Sequence, residues 1–139
     1  MNGDSRGDGA RGPERGREVI GLGIDAVDIE RFRRLLARRP QAAERIFTDA
    51  ERSVLSGRVD PVPGLAARFA AKEATMKALG TGLGGVRFAD VEVLGGGSAA
   101  PRLEISGVAA SRAEALGIRS WHVSLTHTDS VAAAVVVAD

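Results

Sequence analysis

The chain has 139 residues, 44% hydrophobic and 27% charged, which is material for one soluble domain of ordinary size. With 19 Lys+Arg against 18 Asp+Glu the formal charge is +1, which gives no support to bulk binding of nucleic acid or a membrane surface. Cysteine is absent, so disulfides, thiolate metal sites and cysteine catalysis are excluded, and a reducing cytoplasm is the expected compartment. No apolar run has bilayer length, and the N-terminus has no signal-peptide core.

Residues 1–18 mix Gly, Arg, Asp, Ser and Pro with almost nothing to bury, and read as a disordered tail ahead of a single domain, 19–139. VIGLGID, ending at Asp25, has the β-branched look of a short buried strand. A helix is expected from about Asp28 to Arg39, with Ile29, Phe32, Leu35 and Leu36 on one face and Pro40 as its stop. Thr48-Asp49-Ala50-Glu51 is a capping box opening a short helix that Gly57 can end. DPVPG, Asp60 to Gly64, reads as a loop. The longest helix follows, Leu65 to Leu79, closing at Gly80. GTGLGG is then a turn, Phe88 to Leu94 alternates like a strand, and Arg102 to Ser106 is another after Gly95-Gly96-Gly97. Val108 to Leu116 is helical. Trp121 to Thr126 alternates, and Val131 to Val137 reads as a strand buried on both faces that pairs with it as a hairpin. The sum is an α+β domain with a mainly antiparallel sheet packed with helices, one of them long.

The chemistry concentrates around the long helix. Leu65, Phe69 and Met76 mark an apolar stripe, and Glu73 falls on or beside it. A carboxylate withdrawn from water is costly unless it is paired or holds a cation. Lys77, four residues on, offers an ordinary intrahelical pair worth ~0.2–0.5 kcal/mol. Asp25, at the expected strand end, reads on its own as a turn residue or helix cap. Together, two carboxylates from separate elements, a lysine and a glycine-rich turn suit Mg²⁺ on a phosphate or pyrophosphate. The chain has only two lysines, Lys72 and Lys77, both in this segment. A second cluster, Ser124 to Thr128 around His127, presents hydroxyls and an imidazole that can surround a phosphate or sit in a solvated turn. His122 alternates away from Trp121 and is expected to be structural.

Four blocks carry a family resemblance: GLGIDAVDIERF at Gly21–Phe32, RIFTDAE at Arg45–Glu51, RFAAKEATMKALGTGLG at Arg68–Gly84 and HVSLTHT at His122–Thr128. The chain resembles the holo-acyl-carrier-protein synthases, small prokaryotic 4′-phosphopantetheinyl transferases. The resemblance implies transfer of the 4′-phosphopantetheine arm of coenzyme A to a serine of an acidic apo acyl carrier protein, with release of adenosine 3′,5′-bisphosphate, in fatty-acid or polyketide synthesis. It implies Asp25 and Glu73 as Mg²⁺ ligands, catalysis by Glu73, Lys77 and Asp25, and coenzyme A contacts from Lys77, Arg68, Gly80, Gly82, Thr126, His127 and Thr128. It also implies a homotrimer with active sites between subunits. Arg31, Arg34 and Arg38 stand i, i+3, i+7 on the first helix, which is either a solvated face or, as the resemblance implies, the docking ridge for the carrier. A rival reading is the same fold holding coenzyme A or a carrier without turnover; only the transferase needs Asp25, Glu73 and Lys77 together.

Overall fold

The structure, a computed structural model, describes residues 18–81 and 85–139. The expected tail, apart from Glu18, and Gly82 of the glycine-rich turn lie outside the described residues. Strand β1 spans Gly21–Asp28, so it runs through Asp25 instead of ending there. Asp28 is the residue that caps the next helix, α1 (Ile29–Arg38), its carboxylate accepting the Arg31 N–H at 2.9 Å. Pro40 ends α1 but also opens a helix the sequence reading omits, α2 (Gln41–Ile46). The capping box at Thr48 forms as expected and starts α3 (Asp49–Leu55).

Helix α4 spans Val62–Leu79 and begins inside the DPVPG segment expected to be a loop. Proline belongs in a first helical turn, where its missing N–H has no acceptor to serve. Asp60 accepts the Val62 N–H at 3.1 Å and is itself gripped by both terminal nitrogens of Arg33 at 2.9 and 3.0 Å. Gly80 closes α4 with φ +73, the left-handed geometry that favours glycine. Residues Phe88–Asp90 form a 3₁₀ turn where a strand was expected, and β2 (Val91–Gly96) follows. Then come β3 (Ala99–Ile105), α5 (Gly107–Ala115), β4 (Trp121–His127) and β5 (Val131–Ala138).

Among the described residues all strand pairings are antiparallel. One sheet has the order β1-β5-β4, with the expected β4–β5 hairpin; the other is the β2–β3 ribbon. Helix α4 packs on the inner face of the first sheet. Strand β5 is therefore buried on one face only: Ala132, Ala134, Val136 and Ala138 meet the core, while Val135 and Val137 stay half-exposed. The expectation of burial on both faces is corrected for the single chain. No helix among the described residues is long and apolar enough to cross a membrane.

Among the described residues the core holds one buried ion pair. Lys72, fully buried on α4, reaches Glu51 of α3 at 2.9 Å, the Phe88 carbonyl at 3.0 Å and the Val91 carbonyl. Glu51 completes its set with the Thr48 and Val93 N–H groups. Every proton of the ammonium has an acceptor, which is what makes a charge at this depth tolerable.

Candidate active site

Helix α4 is wrapped from almost every side. Between Leu65 and Leu79 only Phe69, Glu73 and Lys77 are not fully buried. Their i, i+4, i+8 spacing makes one open strip along the helix. Glu73 thus lies beside the buried surface, and Phe69, expected on the buried stripe, shares the open strip with it.

Strand β1 brings Asp25 to this strip. Lys77 Nζ donates to Asp25 Oδ1 at 3.0 Å and to the Ile24 carbonyl at 2.9 Å, so its pairing crosses to the strand instead of closing on Glu73. The Glu73 carboxyl lies close enough to Asp25 to feel its charge. Burial first, then the Asp25 charge, push the Glu73 pKa up to about 7, against the smaller opposing pull of Lys77. Asp25 Oδ2 is buried and receives no N–H or O–H donor. A pair of facing carboxyls in this state requires either a proton between them or a cation. No group of three or more His, Asp or Glu able to hold a metal exists among the described residues. A two-carboxylate site with open positions fits Mg²⁺ shared with substrate phosphates, which rarely uses an all-protein cage.

The other predicted coenzyme A contacts fall elsewhere. Arg68 stands five residues before Glu73, about 140° round the helix, and faces the β4 side of the sheet. With Thr126, His127, Arg58, Gly96 and Gly97 it lines a separate pocket of ≈ 280 Å³. Arg68 is 4% exposed, donates to the Gly95 carbonyl at 2.8 Å and leaves Nε buried without an acceptor. Burial pulls its pKa down, so the guanidinium is short of partners and an anion would relieve it. Thr128 does not contribute an open hydroxyl: its Oγ1 accepts from the Ser130 and Val131 N–H groups and shapes the turn. His127 Nδ1 rests 3.2 Å from the Thr128 carbonyl. Gly80 acts as the helix terminator, its N–H turned back to the Lys77 carbonyl. His122 is exposed, with Nε2 3.3 Å from the Asp139 carboxylate. A single chain therefore carries two separate clusters of these residues on different flanks of α4.

Beside Glu73 lies a groove of ≈ 970 Å³ floored by Leu35, Ile46, Phe69 and Phe88 and rimmed by Arg38, Arg39 and Arg45. An adjoining hollow of ≈ 370 Å³ also touches Glu73 and adds Arg31. Of the expected ridge, Arg31 and Arg38 reach these hollows, while Arg34 is exposed and lines neither. Arg39, Arg45 and Arg58 were not singled out from sequence. Arg45 sits inside the RIFTDAE block and was open to notice; Arg39 and Arg58 carry no local signal.

A family model described as the 4′-phosphopantetheinyl transferase superfamily matches residues 21–136, and the chain belongs to that superfamily. It is 51% identical over 121 residues to the holo-(acyl-carrier-protein) synthase of Streptomyces griseus, covering 87% of this chain and 98% of that one. Among solved structures, the holo-(acyl-carrier-protein) synthase of Neisseria meningitidis superposes with a TM-score of 0.79 at 34% identity, over 88% of this chain and 99% of the other. The Helicobacter pylori synthase, solved in complex with coenzyme A, gives 0.72 at 29% identity over 85% and 99%. Within the superfamily the chain is a member of the holo-acyl-carrier-protein synthase family.

Proposed function

We propose that the protein transfers the 4′-phosphopantetheine arm of coenzyme A to a serine hydroxyl of an acidic apo acyl carrier protein, releasing adenosine 3′,5′-bisphosphate. The convergence of Asp25 and Glu73, with Lys77 on Asp25, carries this reading. The serine oxygen forms a bond to the phosphorus nearer the pantetheine as that atom loses its bridging oxygen to the nucleotide. The serine proton leaves to Glu73 or to water that Glu73 orients. Asp25 and Glu73 would hold Mg²⁺, which when bound neutralises charge on the pyrophosphate. Lys77 adds a second positive centre beside Asp25, and the phosphates are its natural partner once substrate arrives.

The two clusters account for the rest. In a homotrimer, Arg68, Thr126 and His127 of one subunit would face Asp25, Glu73 and Lys77 of the next, so that the nucleotide bridges the two, with Gly80 near Lys77. Arg31, Arg34 and Arg38, joined by Arg39 and Arg45, form a basic bank on which an acidic carrier docks with its serine toward Glu73. We place this as one domain, 19–139, acting in the cytoplasm. The direct test is mass spectrometry of an apo carrier protein incubated with this protein, coenzyme A and Mg²⁺. The phosphopantetheine increment is expected, and lost with Glu73→Gln. Its absence with every carrier class, or its persistence at normal rate in Glu73→Gln, would overturn the reading.

A further inference from the structure

Strand β1 and helix α4 meet backbone to backbone. A Cβ built on Gly23 would stand 1.8 Å from the Ala74 carbonyl oxygen, and one on Gly21 would stand 2.3 Å from that of Ala78. Both glycines have φ outside the left-handed region, so conformational freedom is not the reason for them. The reason is distance. A helix carbonyl cannot turn aside as a side chain does, so any residue with a Cβ must push the strand away. To reach even 3.0 Å the strand would retreat about 1.2 Å at Gly23 and about 0.7 Å at Gly21. Gly23 is two residues from Asp25 on the same strand face, and Ala74 follows Glu73 directly. Lys77 crosses the same seam to reach Ile24 and Asp25.

We infer that Gly23, assisted by Gly21, is a positioning residue: its missing side chain sets the spacing at which Asp25 and Glu73 share one divalent ion. The inference rests on the proposed metal role of that pair. Oxygen ligands of Mg²⁺ sit within a narrow range near 2.0–2.1 Å, so a retreat of about 1 Å leaves one carboxylate short. Misplacement of that size costs on the order of 100-fold in rate.

The test is Mn²⁺ titration, followed by the paramagnetic resonance of the free ion, into protein saturated with coenzyme A, alongside kcat and KM. Gly23→Ala is expected to weaken Mn²⁺ binding about 10-fold or more and lower kcat by about 100-fold, leaving the carrier KM within about twofold. Gly21→Ala, with the shorter retreat, is expected to weaken Mn²⁺ binding about threefold. Gly107→Ala, a strained substitution at φ +56 beside Asp90, should lower the melting temperature without changing Mn²⁺ affinity. Adding Asp25→Glu to Gly23→Ala should recover part of the lost affinity, because one extra methylene spans the wider gap, while Asp25→Glu alone should lose affinity.

An unchanged Mn²⁺ affinity in folded Gly23→Ala would overturn the inference. If that variant does not fold, an unchanged affinity in Gly21→Ala overturns it instead. Equal weakening in Gly107→Ala would show general loosening and overturn it as well. Identical Mn²⁺ binding by wild type and Glu73→Gln would instead remove the metal role on which the inference stands.

Discussion

At pH 7 about half of the Glu73 carboxyls hold a proton, since burial and Asp25 raise the pKa to about 7. The folded state binds this proton more tightly than the unfolded chain, where the reference value is 4.5. The resulting stabilisation is complete below 4.5 and is lost as pH rises through 7. In metal-free protein at pH 8, Glu73→Gln should therefore melt a few degrees higher than wild type, with the gap closing at pH 4, although the variant is expected to lose activity. The same proton competes with the ion. Mn²⁺ affinity of the wild type should rise about tenfold per pH unit below 7 and level off above it. Flat affinity between pH 6 and 8 in a titration would contradict the shared site. Lys72 behaves differently. Burial lowers its pKa and Glu51 opposes that, so the charged pair survives only as a pair. Lys72→Met strands the Glu51 charge and should cost about 3–5 kcal/mol in urea unfolding; a loss under about 1 kcal/mol would contradict a buried ion pair. Sequence singled out Lys77 and gave Lys72 no role, because helix spacing says where a side chain points and not what waits across the gap. Glu51 was legible as a capping residue, and its second bond to Lys72 was not, since 21 positions separate them on the chain.

The long helix, the capping box at Thr48 and the β4–β5 hairpin were legible because each is announced within a few residues, by periodicity, by a Thr–Glu spacing or by a short turn. Helix α2 was not, because Pro40 reads as a stop and only six residues follow before Phe47. Its absence hid half of a surface. Helices α1 and α2 form the two banks of the groove beside Glu73, with Arg38 on one, Arg45 on the other and Arg39 at the bend between them. Three guanidinium groups around an apolar floor of Leu35, Ile46 and Phe69 suit an acidic amphipathic helix, steered by charge and held by apolar contact. Reversing Arg38 and Arg45 to Glu should raise the KM for the carrier about tenfold or more, weaken its salt dependence and leave the KM for coenzyme A unchanged. Steady-state kinetics at two ionic strengths would read this. Arg34→Glu, which borders neither hollow, should have a smaller effect, and an equal effect would move the docking bank back to the outer stripe of α1 alone.

The outer face of the β1-β5-β4 sheet is what α4 does not cover. Leu22 is 63% and Ile24 66% exposed, level with half-exposed Val137 and Val135 on β5. An apolar sheet face of this kind in a chain of near-zero net charge calls for a cover, which a second copy of the chain would supply in the proposed trimer. The run Val131–Val137 looks doubly buried in sequence, and in the proposed assembly a neighbouring subunit would cover the side that a single chain leaves half-exposed. Placement of the site follows the same logic. Asp25 and Glu73 lie toward β1, Arg68 and His127 toward β4, with α4 between them, so in the proposed trimer a site that uses both groups would draw them from neighbouring subunits. Ile24→Glu should break the assembly and activity together, with gel filtration reporting the first. Subunit mixing separates the two effects. Glu73→Gln and His127→Ala should each be nearly inactive alone. In trimers co-refolded from equal amounts, an interface that pairs an intact Glu73 with an intact neighbouring His127 arises by chance in roughly a quarter of cases. Transfer activity should therefore recover to roughly a quarter of wild type, and no recovery above either parent would mean that each site is built from one subunit.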